Sequence, residues 1–158
     1  MIEHPIAPVY DEKSEILILG SFPSVKSREQ GFFYGHPQNR FWKVLAGLFV
    51  EEVPASIEEK KQFLLRYHVA VWDVISSCEI EGSMDNTIKN AVPNDLTPIL
   101  FGSSVNRIFV NGKTAKNLYD RHLYSKTGIE AMVLPSTSPA NAAWSFDRLL
   151  EAWKVILD

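Results

Sequence analysis

Four short runs of aliphatic and β-branched residues, Glu15 to Leu19, Val69 to Val74, Arg107 to Val110 and Ala131 to Leu134, are separated by segments with helical periodicity. Runs that stay apolar on consecutive positions, rather than alternate ones, suit strands buried on both faces. Parallel strands need long crossovers, and helices supply them, so this alternation restricts the chain to a mostly parallel sheet with helices on both sides. Asn39 to Phe49 sets Phe41, Trp42, Leu45, Leu48 and Phe49 at spacings of three and four on one stripe. Ser56 followed by Glu59 opens Ile57 to Tyr67 as a capping box. Asn94 is expected to cap a helix over Leu96 to Phe101, and Thr114 to open one over Ala115 to His122. The last helix is expected from about Ala142 to Leu157. No repeat or linker interrupts the order, so residues 1–158 read as one α/β domain: a three-layer α/β/α sandwich around a four-stranded sheet.

A chain of 158 residues with 46% hydrophobic content can bury one sizeable core. Cys78, the one cysteine, excludes an internal disulfide and any cysteine-based metal knuckle. Glu3 and the prolines of Met1 to Tyr10 stand where a signal peptide needs a basic start and an apolar run. A soluble, cytoplasmic protein, nucleoid-associated in a prokaryote, is the expectation. The net charge of −3 is unevenly spread. Lys26, Arg28, Arg40 and Lys43 outnumber Glu29, and Arg107, Lys113, Lys116, Arg121 and Lys126 outnumber Asp120, while residues 51–100 hold the acid excess. If the two basic blocks meet on one face, they form a cleft that attracts phosphates; otherwise they are ordinary solvated surface.

Ligands of open α/β sheets bind at the carboxyl ends of the strands. Those ends are Gly20 to Ser24, Asp73 to Cys78, Asn111 to Thr114 and Pro135 to Asn141, rich in small and polar residues. Asn111-Gly112-Lys113-Thr114 looks like the end of a P-loop, but Arg107 stands where the phosphate cradle needs its other glycine. No dinucleotide fingerprint follows any strand, and neither Ser21 nor Ser136 sits in a nucleophile elbow. His4, His36, His68 and His122 lack metal-ligand spacing, so neither a metal nor a cofactor is expected.

The segment Gly31-Phe32-Phe33-Tyr34-Gly35-His36-Pro37-Gln38-Asn39-Arg40-Phe41-Trp42 places three consecutive aromatics in a loop before a helix. They either plug the core or offer a planar base a stacking surface. Asn39 is either a helix cap or an amide presented to a ligand. Asp73 and Asp85, near strand ends, read either as general bases or as structural groups, Asp73 capping the Ser76 and Ser77 amides and Asp85 opening a helical turn. Trp42, Trp72, Trp144 and Trp153 fall on apolar stripes and read as core; Trp144 has the alternative of touching nucleic acid.

The block from Gly31 to Val44 resembles the corresponding segment of the mismatch-specific branch of the uracil-DNA glycosylase superfamily. Gly20 to Ser24 sits where that superfamily has its first motif, and Leu134 to Asn141 is similar to its second. The superfamily generally has a polar residue before the proline of the first motif, positioning the attacking water; here it is Phe22. The hypoxanthine-DNA glycosylase branch shares this Gly-Ser-Phe-Pro form and the Leu-Pro-Ser-Thr-Ser-Pro-Ala-Asn second motif.

The resemblance implies a uracil-DNA glycosylase-like fold and a monofunctional glycosylase that flips a deaminated base from double-stranded DNA and hydrolyses its bond to deoxyribose. Hypoxanthine is the favoured base and uracil in a G/U mismatch the alternative. The implied catalytic amide is Asn39, donating to the base or orienting a water. The implied base pocket comprises Ser21, Phe22, Phe32, Tyr34 and Asn111, with Phe32 as the stacking aromatic. Ser24, Lys113, Ser136, Thr137, Ser138 and Asn141, with Lys126, are the implied DNA contacts. No motif lysine is placed for a Schiff base, hence no strand cleavage. A monomer is expected. Two other readings stay open: a family member that binds nucleic acid without chemistry, for which Phe22 would be the reason, and a hydrolase of free nucleosides.

Overall fold

Consecutive apolar positions do form the central strands, and the reason is visible along the second of them. In the computed structural model, which describes residues 1–158, the order is β1 (Ile2–Glu3), β2 (Ile16–Gly20), α1 (Val25–Gln30), α2 (Phe41–Phe49), α3 (Ile57–Arg66), β3 (Val69–Asp73), β4 (Ile75–Glu79), β5 (Lys89–Pro93), α4 (Thr97–Gly102), β6 (Arg107–Asn111), α5 (Lys113–His122), α6 (Tyr124–Thr127), β7 (Ala131–Leu134) and α7 (Phe146–Trp153). A four-stranded parallel sheet runs in the order β3-β2-β6-β7. Along β2, Ile16 and Ile18 join one core with Phe41, Leu45, Phe63, Leu64 and Trp153, from α2, α3 and α7. Leu17 and Leu19 join a second core with Ile99, Leu118 and Tyr119, from α4 and α5. The strand is apolar throughout because both faces are covered, which makes three layers.

The register brings the strand ends together in pairs. Gly20 pairs with Asp73, so the carboxyl ends of β2 and β3 stop side by side, and Asn111 pairs with Leu134 at the ends of β6 and β7.

A second sheet, antiparallel and in the order β1-β4-β5, was not expected. Its strands hide from periodicity because β4 buries Ile75 and Cys78 alone and β5 buries nothing fully. The loop between β4 and β5 contains a turn of 3₁₀ helix, Asp85–Thr87. It is tied to α1, where the Val25 amide donates to Ser83 Oγ at 2.9 Å and Arg28 donates to the Gly82 carbonyl at 2.7 Å.

Three helix starts also differ. Asn94 caps nothing; its amide donates to the carbonyls of Asp73 and Ile75, fixing the corner between β3 and β4, and α4 begins at Thr97 with a proline in its first turn. The α5 helix begins at Lys113, ahead of Thr114, because Gly112 takes φ +98° and lies where a Cβ would stand 3.1 Å from that of Ser136. Ser145 caps α7 by accepting from the Arg148 amide, so the chain from Ala142 to Trp144 is turn, and residues 154–157 continue as 3₁₀ helix. No helix is long and apolar enough to cross a membrane.

Candidate active site

All four parallel strands end in one cleft. Gly20 ends β2 and Ser21, Phe22 and Ser24 follow it, Asp73 ends β3, Asn111 ends β6, and Ser136 to Pro139 follow β7; Phe33, Tyr34, His36 and Asn39 close it from the aromatic loop, and Ser83 and Asp85 from the β4–β5 hairpin. The cleft thus lies where the topology of an open α/β sheet places ligands.

Asn39 has two jobs for its two ends. Its Oδ1 accepts from the Phe41 amide at 2.9 Å, the first N–H of α2, whose N-cap position is Arg40, and from Thr137 Oγ at 2.9 Å. A backbone N–H only donates, so the side-chain atom facing Phe41 is the oxygen and the amide orientation is fixed. Nδ2 makes no hydrogen bond within the protein and belongs to a residue lining the cleft. Asn39 is not the N-cap of α2, which is Arg40, yet its two ends serve the start of the helix and the cleft together. Behind it, Asn111 pairs with Thr137 twice: Nδ2 donates to Thr137 Oγ and Oδ1 accepts from the Thr137 amide, both at 3.0 Å. A relay from β6 through the loop after β7 therefore holds Asn39.

The opposite side is acidic. Asp73, 4% exposed, accepts through Oδ2 from His4 Nε2 at 2.7 Å. His4 Nδ1 accepts from the Ile6 amide, which places the ring proton on Nε2 and makes His4 a neutral donor. Asp73 does not cap Ser76 and Ser77. Above Gly20 the floor is tight: a Cβ there would overlap Asp73 Oδ1 and stand 3.0 Å from the Tyr34 hydroxyl. Tyr34 takes φ +54°, which turns its ring onto Phe41 at 3.9 Å between centroids, and its hydroxyl is buried without a partner. Burial and then the charge of Asp73 push the Tyr34 phenol above its ordinary range, so it stays a protonated donor.

Asp85 closes the same side. Burial raises its carboxyl to about 6; the Ser21 hydroxyl opposes the shift and the charge of Asp73 adds to it. The raised value means that the folded state holds this proton more tightly than the unfolded one, so stability falls as pH climbs through about 6. Asp85→Asn is therefore expected to melt higher than the wild type at about pH 7.5, where Asp85 is charged in the folded and the unfolded chain, and by a clearly smaller margin at about pH 4.5, where the folded-state carboxyl keeps its proton and only part of the loss between 3.8 and about 6 has occurred. Melting curves at the two pH values check this; equal differences at both would remove the buried-acid assignment.

The other residues inferred from sequence divide among cleft, rim, core and outer surface. Ser21, Phe22, Tyr34 and Asn111 line the cleft, as do Ser24, Ser136 and Ser138 at its rim. Phe32 does not. It is 3% exposed, stacked on Trp42 in the core at 6.0 Å, and Phe33 is the neighbour that reaches the cleft. Thr137 is fully buried and engaged with both asparagines, so it positions Asn39 instead of meeting phosphate. Asn141 lies off the cleft and donates to the Ser136 carbonyl, bracing its own loop. Lys113 is exposed at the start of α5, outside the cleft lining. Arg40, counted in a basic block, is instead a staple: it donates to the carbonyls of Ser138 and Asn141 at 3.1 Å each and to that of Trp144. Of the tryptophans, Trp42 and Trp153 are buried; Trp144 is half-buried under Arg148, whose guanidinium lies 4.1 Å from its ring centroid. The sequence holds no signal that brings His4, His36 or Phe33 to the site, and for Asp73 the one signal is a carboxylate ending an apolar run.

Comparison with known proteins bears on this geometry. A family model described as the uracil DNA glycosylase superfamily matches residues 7–157. A hypoxanthine DNA glycosylase of Methanosarcina acetivorans is 34% identical over 158 residues, 99% of this chain and 98% of the relative. A protein of the same name from Methanosarcina barkeri is 33% identical over 136 residues, 85% of each chain. A Methanosarcina acetivorans protein assigned as a uracil DNA glycosylase, solved by solution NMR, has a TM-score of 0.83 at 34% identity, covering 99% of this chain and 96% of the other. A match across nearly the whole chain, with the two motifs and the Asn39 block gathered around one cleft, leaves one assignment: the chain belongs to the uracil DNA glycosylase superfamily.

Proposed function

We propose that the protein is a monofunctional DNA glycosylase that removes hypoxanthine from double-stranded DNA. The observation that carries this reading is the single free amide end of Asn39 in a cleft bounded by aromatic rings and small hydroxyl residues. The two relatives similar over 99% and 85% of this chain are hypoxanthine DNA glycosylases by name, which favours hypoxanthine over uracil.

The base leaves the stack at a cost of a few kcal/mol, about the least for a mispaired base. It enters the cleft while Ser24, Ser136 and Ser138 meet the flanking phosphates at the rim. As the bond between C1′ and the base nitrogen breaks, its electron pair departs with the base; water adds to C1′ and its surplus proton ends on the released base. Asn39 Nδ2 donates to the base as negative charge grows there, because Oδ1 already accepts from two donors and has no role left for water. No lysine lines the cleft, so no amine is placed to form a Schiff base with the sugar.

Purified protein incubated with duplexes bearing hypoxanthine, uracil or xanthine, then treated with alkali, tests the reading. Cutting at hypoxanthine only after alkali is the expected result. Stronger cutting at uracil would reassign the base, and cutting without alkali would end the monofunctional assignment. Binding to duplexes with no cutting would leave a DNA-binding protein, and base release from free nucleosides alone would leave a nucleoside hydrolase.

A further inference from the structure

Two polar atoms that crowd Gly20 at the end of β2 have no part in bond cleavage at C1′. Asp73 Oδ1 makes no hydrogen bond within the protein, and the Tyr34 hydroxyl is buried without a partner. Both crowd the same point above Gly20, so they lie side by side at the end of β2. A flipped nucleotide enters base first with its sugar and phosphates outward, so these two oxygens meet the base, whereas the serines at the rim meet the backbone.

Their hydrogen-bonding characters are opposite and fixed. His4 donates to Asp73 Oδ2, with its own Nδ1 committed to the Ile6 amide, which leaves Oδ1 as an acceptor. The Tyr34 phenol, raised by burial, keeps its proton and can donate. Gly20 lets both approach, since any side chain there would fill the space.

We propose that Asp73 Oδ1 and Tyr34 Oη form an acceptor–donor pair that reads the lactam edge, O=C–N–H, shared by deaminated bases. In hypoxanthine the N1–H donates to Asp73 and O6 accepts from Tyr34; uracil offers the same edge at N3–H and O4. Adenine and cytosine present it reversed, a ring nitrogen lone pair facing the carboxylate and an amino group facing the hydroxyl. A site built on a fixed acceptor rejects the analogue that lacks the donor far more strongly than an apolar pocket rejects a change of size, because its buried polar groups are left unpaired. Selection against the parent bases thereby resides in two residues over Gly20, separate from the Asn39 amide, and the inference rests on the glycosylase reading.

The test compares single-turnover release of hypoxanthine with release of unsubstituted purine, which lacks both N1–H and O6, from otherwise identical duplexes. In Asp73→Asn the amide oxygen takes the His4 hydrogen bond and the NH₂ faces the cleft, replacing an acceptor by a donor. The ratio of hypoxanthine to purine release is expected to fall at least about tenfold in this variant, and by a similar factor in Tyr34→Phe. Intrinsic differences in bond strength cancel in the comparison of ratios. Tyr34→Phe removes one hydroxyl and keeps the stack on Phe41, so it carries the test if Asp73→Asn does not fold. Equal loss on both substrates, leaving the ratio unchanged, would overturn the pair as a reader while the glycosylase reading stands. Release of no base from any duplex by folded wild-type protein would overturn both.

Discussion

Asn39→Asp should leave the fold standing and lower base release about 100- to 1,000-fold, the effect of removing one donor aimed at developing negative charge. The substitution separates the two functions of the residue. A carboxylate oxygen still accepts from the Phe41 amide and Thr137 Oγ, so the bond to the first N–H of α2 survives. The other oxygen then faces the cleft where Nδ2 had donated, and it repels a base that is becoming anionic. Asn39→Ala loses the hydrogen bonds to the Phe41 amide and Thr137 as well, and should unfold about 1 kcal/mol more easily besides being inactive. The pair of variants, followed by single-turnover release and thermal melting, distinguishes a donor to the base from a residue that orients water. If Asn39 oriented water by accepting its hydrogen bond, Asp would do so at least as well. Activity retained or raised in Asn39→Asp would therefore overturn the donor role.

Features that depend on near neighbours could be read in the sequence. The parallel sheet is legible because strands buried on both faces have no polar positions, and Ile16 to Leu19 shows that within four residues. The cleft is legible as a place, because topology puts it at the strand ends. Which side chains enter it depends on register and on single-residue rotations that leave no periodic trace. Phe32 and Phe33 are chemically identical neighbours in a loop; one stacks on Trp42 and the other reaches the cleft. Asp73 becomes part of the site only because β2 and β3 align Gly20 beside it and because His4, 69 residues away, turns Oδ2 away from the cleft. Asp85 arrives on a hairpin whose strands bury too little to show a pattern. Phe22 illustrates the reverse case. Its departure from the superfamily pattern was plain in the sequence, and the structure shows it as a wall, 6% exposed and edge-on to His4 at 5.9 Å between centroids. The polar groups absent at position 22 stand on other elements, at Asp73, Asp85 and Asn39.

Arg40 is the clearest case of a residue whose charge suggested one role and whose contacts show another. Its guanidinium donates to the carbonyls of Ser138, Asn141 and Trp144, and its backbone amide donates to the Thr137 carbonyl at 3.1 Å. A loop that carries Ser136, Thr137 and Ser138 has no ladder of its own to hold it, so this one side chain does what a strand partner would do. Bonds from a charged donor contribute about 1.5 to 3 kcal/mol each where buried, and the site is only part-buried, so water recovers some of the loss in a truncated variant. Arg40→Met, which keeps most of the aliphatic stem, should lower stability by about 3 kcal/mol, a fall of about 6 to 12 °C in melting temperature for a chain of this size. Base release should drop in the same variant even at temperatures where it is fully folded, because Thr137 helps fix Asn39 from this loop. Arg40→Lys can reach one carbonyl at a time and should recover only part of the melting temperature. A melting temperature within about 2 °C of wild type in Arg40→Met would show that the loop holds its shape without the guanidinium, and Asn39 would then owe its position to the Phe41 amide and the Asn111–Thr137 pair.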